Sequence, residues 1–217
     1  MQHVESPDLH HLRHEYPVVF EVEHPARYDR AQVALRLAIL MVLGVLSAPV
    51  GWLFGVLFLA LPVVAAVEIS TRGPGEFLSG PSAQLVRTIR WVLSFYAYLA
   101  LLTDRFPQFS APASLIRFEV TPTGAPTVGS ALLRLLTSIP YAAVLFVLGV
   151  ATGFIWVVSL VAIVVGDGVP KNQYDFLRGV MRWQARLLAY HSSLIEEYPP
   201  WSFDTEPSGP GATAAVR

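Results

Sequence analysis

The chain has 217 residues, 53% of them hydrophobic and 14% charged, with a formal net charge of −1. Soluble domains carry roughly 25% charged residues, so this composition argues against an ordinary water-soluble globule, and the near-neutral balance argues against a nucleic-acid partner. The absence of cysteine rules out disulfides, thiolate metal sites and thiol catalysis.

In chain order, residues 1–15 are polar and rich in histidine. His10, His11 and His14, with His24, lack any further ligand at metal-binding spacing, so they read as a solvated tail and no metal or other cofactor is expected. Tyr16 to Glu23 alternates like a short strand. An apolar helix is expected from Ala31 to Ser47, interrupted by Ala48-Pro49-Val50-Gly51, and a second apolar helix follows to Val67. Thr71 to Pro81 reads as a Gly/Pro-rich loop, and Gln84 to Thr103 as a helix. Leu115 to Val120 is a second strand, Thr121 to Gly129 a loop, Ser130 to Leu148 and Val150 to Val165 a second apolar pair. Tyr174 to Leu194 reads as an amphipathic helix and Ser208 to Arg217 as a small-residue tail.

The second series echoes the first. Phe20-Glu21-Val22 returns as Phe118-Glu119-Val120, Leu35-Arg36-Leu37 as Leu133-Arg134-Leu135, and Gly51 and Gly55 as Gly149 and Gly153, all 98 positions later. Arg90-Trp91 returns as Arg182-Trp183 and Tyr98 as Tyr190, 92 positions later; Asp104-Arg105-Phe106-Pro107 aligns with Glu196-Glu197-Tyr198-Pro199. Duplicated membrane units of this kind usually build pseudo-symmetric objects. Leu37 to Val67 has no ionisable side chain, and Leu135 to Gly166 has only Tyr141. One straight helix of either length would measure roughly 47 Å, well beyond a ~30 Å hydrocarbon core, so each run reads as a tight hairpin with its tip near 48–51 or 147–150.

The expected fold is therefore an all-α membrane protein of two tandem pseudo-symmetric repeats, at 16–110 and 115–204. Each repeat would carry a short strand, a transmembrane helical hairpin and an amphipathic interfacial helix, flanked by tails at 1–15 and 205–217. Hairpins of this kind let every Lys and Arg lie on one side, which places the termini in the cytoplasm. The two short strands would satisfy their edges by pairing with each other.

Candidate site residues follow from charge and aromatic placement. Arg36, Arg90, Arg134, Arg178, Arg182 and Arg186 are candidates for anionic lipid headgroups. Gly51, Gly55, Gly149 and Gly153 form small-xxx-small motifs for helix packing. Trp91, Tyr98, Trp183, Tyr190 and Trp201 read as interfacial anchors. No phosphate loop, Ser/His/Asp constellation or dinucleotide fingerprint is visible, so no catalytic residue is assigned.

The segment Arg90 to Pro107, with Arg-Trp, a tyrosine seven residues on from Trp91 and Leu-Leu-Thr-Asp-Arg-Phe-Pro, resembles the hallmark of a bacterial membrane family catalogued as domain of unknown function 4389. Tyr174-Asp-Phe-Leu-Arg-Gly-Val-Met-Arg-Trp-Gln and Tyr198-Pro-Pro are similar to the same hallmark, while Phe77 to Gln84 lacks the Tyr-Asp-Phe segment. The resemblance implies an integral protein of the bacterial plasma membrane and brings no catalytic residues. The expected function is a non-enzymatic scaffold or accessory subunit. Its partners would be membrane lipids, anionic ones included, and a membrane protein complex or further copies of itself. The alternative is a protein that handles lipid or transports a hydrophobic solute.

Overall fold

The computed structural model describes residues 16–45, 52–107, 116–166 and 168–203. Along the chain lie β1 (Val18–Val22), α1 (Arg30–Val45), α2 (Trp52–Arg72), α3 (Pro74–Ser79), α4 (Pro81–Leu99), β2 (Ile116–Val120), α5 (Val128–Thr137), α6 (Ile139–Val165) and α7 (Lys171–His191). The protein is mostly helical, with one small sheet.

That sheet is the antiparallel pair β1–β2, in register Val18↔Val120 with Phe20 opposite Phe118. Alternation puts Val18, Phe20, Val22, Ile116 and Phe118 in the core, while Glu21, Arg117 and Glu119 stay exposed. The expected pairing of the two strands is thus present. Two strands alone are marginal in water, and flanking helices complete the ribbon. Arg90 of α4 donates to the Phe118 carbonyl at 2.7 Å. On α7, Arg182 donates to the Phe20 carbonyl at 3.4 Å and the Tyr174 hydroxyl to the Val22 carbonyl at 3.0 Å. Side chains on two helices therefore occupy strand carbonyls that would otherwise need water or another chain.

α7 is the central element. Most of its length is buried, with Leu177, Met181, Ala185 and Leu188 in the main core beside the sheet. Trp183 and Leu187 join a second cluster with Tyr141 and Leu145 of α6. α6 runs antiparallel along α7: Ser138 at its start meets His191 at 2.5 Å, and Ser159 further along donates to Gln173 at 2.8 Å. α5 packs on α2, and Ala131 joins Ala65, Ala66, Ile69 and Phe77 in a third cluster. A reciprocal capping box starts α5, in which Ser130 N donates to Thr127 Oγ1 (3.1 Å) and Thr127 N to Ser130 Oγ (2.9 Å).

The expected architecture of two tandem hairpin repeats is overturned. In the second segment the tip expected at 147–150 lies in the interior of α6, which is a single 27-residue helix. The reason is local. A glycine inside a strongly apolar helix costs only about 1 kcal/mol, and no proline accompanies Gly149, whereas Pro49 precedes Gly51. The break falls instead at Ser138, ahead of Pro140, which cannot donate to the preceding turn. Among the described residues two helices, not four, are long and apolar enough to cross a membrane: Leu53–Arg72 and Ile139–Val165. The first expected tip, 48–51, and both tails lie outside the described residues. Nor is α7 an interfacial helix lying on a surface, since the sheet covers one side of it and α6 another. The expected loop at 71–81 contains the short helix α3, started by Pro74 after Gly73 at φ 83°.

Candidate functional site

The polar groups of this apolar protein converge on the ends of α4 and α7. Both helices close through a non-glycine residue in the left-handed region, Leu101 (φ 63°) and Ser193 (φ 58°). In each case the next amide reaches back to the helix, Leu102 N to Ala97 O at 2.9 Å and Leu194 N to Ala189 O at 3.3 Å. This closure satisfies some final carbonyls of the helix and leaves others seeking donors.

An arginine from another helix supplies them. Arg36 of α1 is fully buried; its Nε donates to Tyr98 O (2.9 Å) and its Nη2 to Thr103 O (2.6 Å) and to Asp104 Oδ1 (2.9 Å). Its guanidinium also lies over the Tyr98 ring, 4.4 Å from the centroid. Arg134 of α5 repeats the arrangement at α7. Its Nη1 donates to Tyr190 O and to Ile195 O, the latter at 2.6 Å, and its guanidinium lies 4.5 Å over the Tyr190 ring. A cation here also complements the negative end of each helix dipole. The two sockets differ in one respect: Asp104 closes the first as an ion pair, with its other oxygen accepting from Asp29 N at 2.6 Å. In the second, the aligned Glu196 donates through its own amide to Thr123.

The second socket adjoins the bend between α5 and α6. The Ser138 hydroxyl donates to Arg134 O, and the same oxygen lies 2.5 Å from His191 Nε2. One hydroxyl carries one proton, so Nε2 is the donor to Ser138 and Nδ1 holds the free lone pair, buried without a partner. Burial, and then the nearby Arg134 cation, push His191 down from 6.5 to about 4, so the ring is neutral. Distance alone would pair this serine and histidine as nucleophile and base. Proton direction and complete burial instead make them a clamp on the bend. Thr137 and the Tyr190 hydroxyl, 3.0 Å apart, reinforce it.

Other candidate residues fall into place around these groups. Arg182 donates to Phe203 O (3.2 Å) besides Phe20 O, Arg186 donates to Ser202 O (2.9 Å), and Arg178 pairs with Asp175 (3.0 Å). The six candidate arginines thus bond to backbone carbonyls or to carboxylates of the chain itself. Tyr98, Trp183 and Tyr190 are buried within the protein, Trp91 is half-buried, and Trp201 is exposed beside Tyr141 and Tyr198. A Cβ built on Gly55, Gly149 or Gly153 would meet nothing within 4 Å, while Gly51 lies outside the described residues. A polar cleft of about 450 Å³ beside the first socket is lined by Glu23, His24, Arg27, Thr103, Asp104 and Arg105. Among the described residues, no three His, Asp or Glu side chains converge as metal ligands.

The Ser138–His191 clamp and the left-handed closures had not been anticipated. The only signal for the closures was the shared position of Leu101 and Ser193 relative to Tyr98 and Tyr190. One consequence is testable at Ser193, which is buried in the left-handed region with its hydroxyl unpartnered. Ser193→Gly should raise stability by about 1 kcal/mol, by relieving backbone strain and removing an unsatisfied hydroxyl; chemical denaturation of the two proteins side by side measures it.

No curated protein and no solved structure matches the chain. A family model does match part of it, from the second residue of α5 through α6 and α7 to the carbonyl that Arg186 holds, a stretch containing the second socket, the clamp and the long apolar helix. Residues 129–202 match the model described as a domain of unknown function, DUF4389.

Proposed function

We propose that this chain is a non-enzymatic scaffold or accessory subunit seated in the lipid of a bacterial plasma membrane. The observation that carries the membrane part is the exposure of α6. Only 11% of its most apolar stretch is buried, and Phe146, Phe154 and Val165 are 75%, 73% and 80% exposed. The core helix of a soluble protein can be equally long and apolar, but it is buried. Leu59, Val63 and Val67 of α2 and Leu132, Leu133 and Leu136 of α5 extend the apolar surface. Soluble monomers rarely carry contiguous apolar patches beyond a few hundred Å².

The scaffold part is supported by how the polar side chains are used. The guanidiniums of Arg36, Arg90, Arg134 and Arg182 hold helix ends and strand carbonyls, which favours a rigid body that presents surfaces over one that performs chemistry. Lipids, anionic ones included, are its proposed surroundings, and a membrane protein complex or further copies of the chain its proposed partners. The bacterial setting rests on the bias towards arginine, with Lys171 the one lysine.

Flotation tests the membrane reading. Full-length chain expressed in bacteria should float with liposomes through a density gradient and stay with them in alkaline carbonate. A chain that remains monomeric and dissolved without lipid or detergent would sink the reading.

A further inference from the structure

The length of α6 admits a crossing of the bilayer, but its attachments do not favour one. Ser138–His191 and Ser159–Gln173 tie α6 to α7 at points 21 residues apart on α6 and 18 apart on α7. The two helices therefore lie side by side over about 30 Å, and whatever tilt α6 takes, α7 shares. The sheet is fastened to α7 along the same direction, at Tyr174 through Val22 and at Arg182 through Phe20. Its outer face carries Glu21, Arg117 and Glu119, whose side chains are 55%, 58% and 58% exposed. Standing α6 upright would bring this charged face to the depth of the hydrocarbon core, where ionised side chains are most costly.

The apolar gain from standing upright is small by comparison. One side of α6 is already filled by α7, through Tyr141, Leu145, Ser159 and Ile163. Its other side leaves water whether the helix stands or lies flat. Resting on the foregoing membrane reading, we propose that α6 lies along one leaflet of the bilayer, its exposed face in the acyl chains and the charged face of the sheet in water. The protein is then a two-layer slab that enters the membrane from one side. The apolar layer, α6 with the exposed faces of α2 and α5, meets lipid. The polar layer, α4, α7 and the sheet, stays towards water. An isolated helix as apolar as α6 would cross; the bond to α7 holds it down. Insertion to roughly 5–10 Å is the range of interfacial helices.

Val147, Phe154 and Val161 are all exposed and seven residues apart, hence nearly on one line along α6. The chain has no cysteine, so V147C, F154C and V161C, made one at a time in the full chain, each give a single spin-label site. The labelled proteins are reconstituted into vesicles of phosphatidylethanolamine and phosphatidylglycerol, and label depth is measured by relaxation with oxygen and a water-soluble nickel chelate. E21C on the same vesicles is tested with a membrane-impermeant maleimide. A flat helix gives three depths within about 5 Å of each other, and E21C reacts. An upright helix spreads the three labels over about 21 Å of the bilayer normal, so a Phe154 label near the mid-plane and a Val161 label about 10 Å shallower, or an unreactive E21C, overturns the flat orientation and leaves the membrane reading intact. Labels that see no lipid at any of the three sites, on protein that does not float, overturn the membrane reading and the orientation with it.

Discussion

Arg36→Leu is expected to destabilise the protein by about 3–5 kcal/mol, the usual consequence of removing one partner from a buried charge pair. The substitution keeps apolar bulk but deserts three acceptors at once: Tyr98 O, Thr103 O and Asp104 Oδ1. Asp104, whose side chain is only 16% exposed, would lose the cation with which it is paired. Arg36→Lys keeps the charge, but a single ammonium cannot match a planar fork aimed at separate acceptors, so its loss should fall between those of the leucine variant and the native chain. Arg134→Leu deserts Tyr190 O and Ile195 O but strands no carboxylate bonded to it, and about 2–3 kcal/mol is the matching expectation. Urea or SDS titration in mild detergent, followed by circular dichroism, ranks the three. Equal losses for Arg36→Leu and Arg134→Leu would mean that Asp104 contributes nothing to the socket.

Acid should weaken the native protein through His191. The folded chain holds this imidazole neutral, with its affinity for protons lowered from 6.5 to about 4. Between those values the unfolded chain binds a proton that the folded chain refuses, so stability rises with pH across the window. The stabilisation is complete above about pH 6.5, falls as the pH drops, and levels near pH 4. The gap corresponds to about 3 kcal/mol. Arg134 acts in the same direction, because a second cation would share its buried site. His191→Gln does not titrate and still offers an N–H donor to Ser138, so its stability should fall much less than the native chain's between pH 6.5 and pH 4. Thermal melts of both proteins across that range decide the matter; parallel curves would clear His191 of the effect.

Several elements were legible because they rest on local chemistry. The strands could be read from alternation and their pairing from otherwise unmet edges, and β1–β2 forms in that way. Most helices fall within a few residues of expectation. The exposed, uncharged α6 was visible as a long apolar run, but its division was misplaced, because Gly149 looked like Gly51 while Pro140, nine residues earlier, was the stronger punctuation. Arg36 and Arg134 stood out by their matched settings. What they grasp did not, since a main-chain carbonyl released by a left-handed closure has no residue type of its own. Ser138 and His191 are 53 positions apart and common in type, so only the packing of α6 on α7 brings them together.

The ribbon joining the start of the chain to its middle has a consequence for synthesis. Phe20 leaves the ribosome 98 residues ahead of Phe118, its partner in the register, and Arg182, which covers its carbonyl, comes 162 residues after it. At roughly 5–20 residues per second, the first strand waits on the order of 5–20 s for the second, with the largely apolar α1 and α2 already made behind it. During that interval β1 lacks its strand partner, and the faces of α1 and α2 that pack on α5, α6 and α7 wait for helices not yet made. A product truncated before Ile116 would keep β1 without its partner and its edge open to other chains.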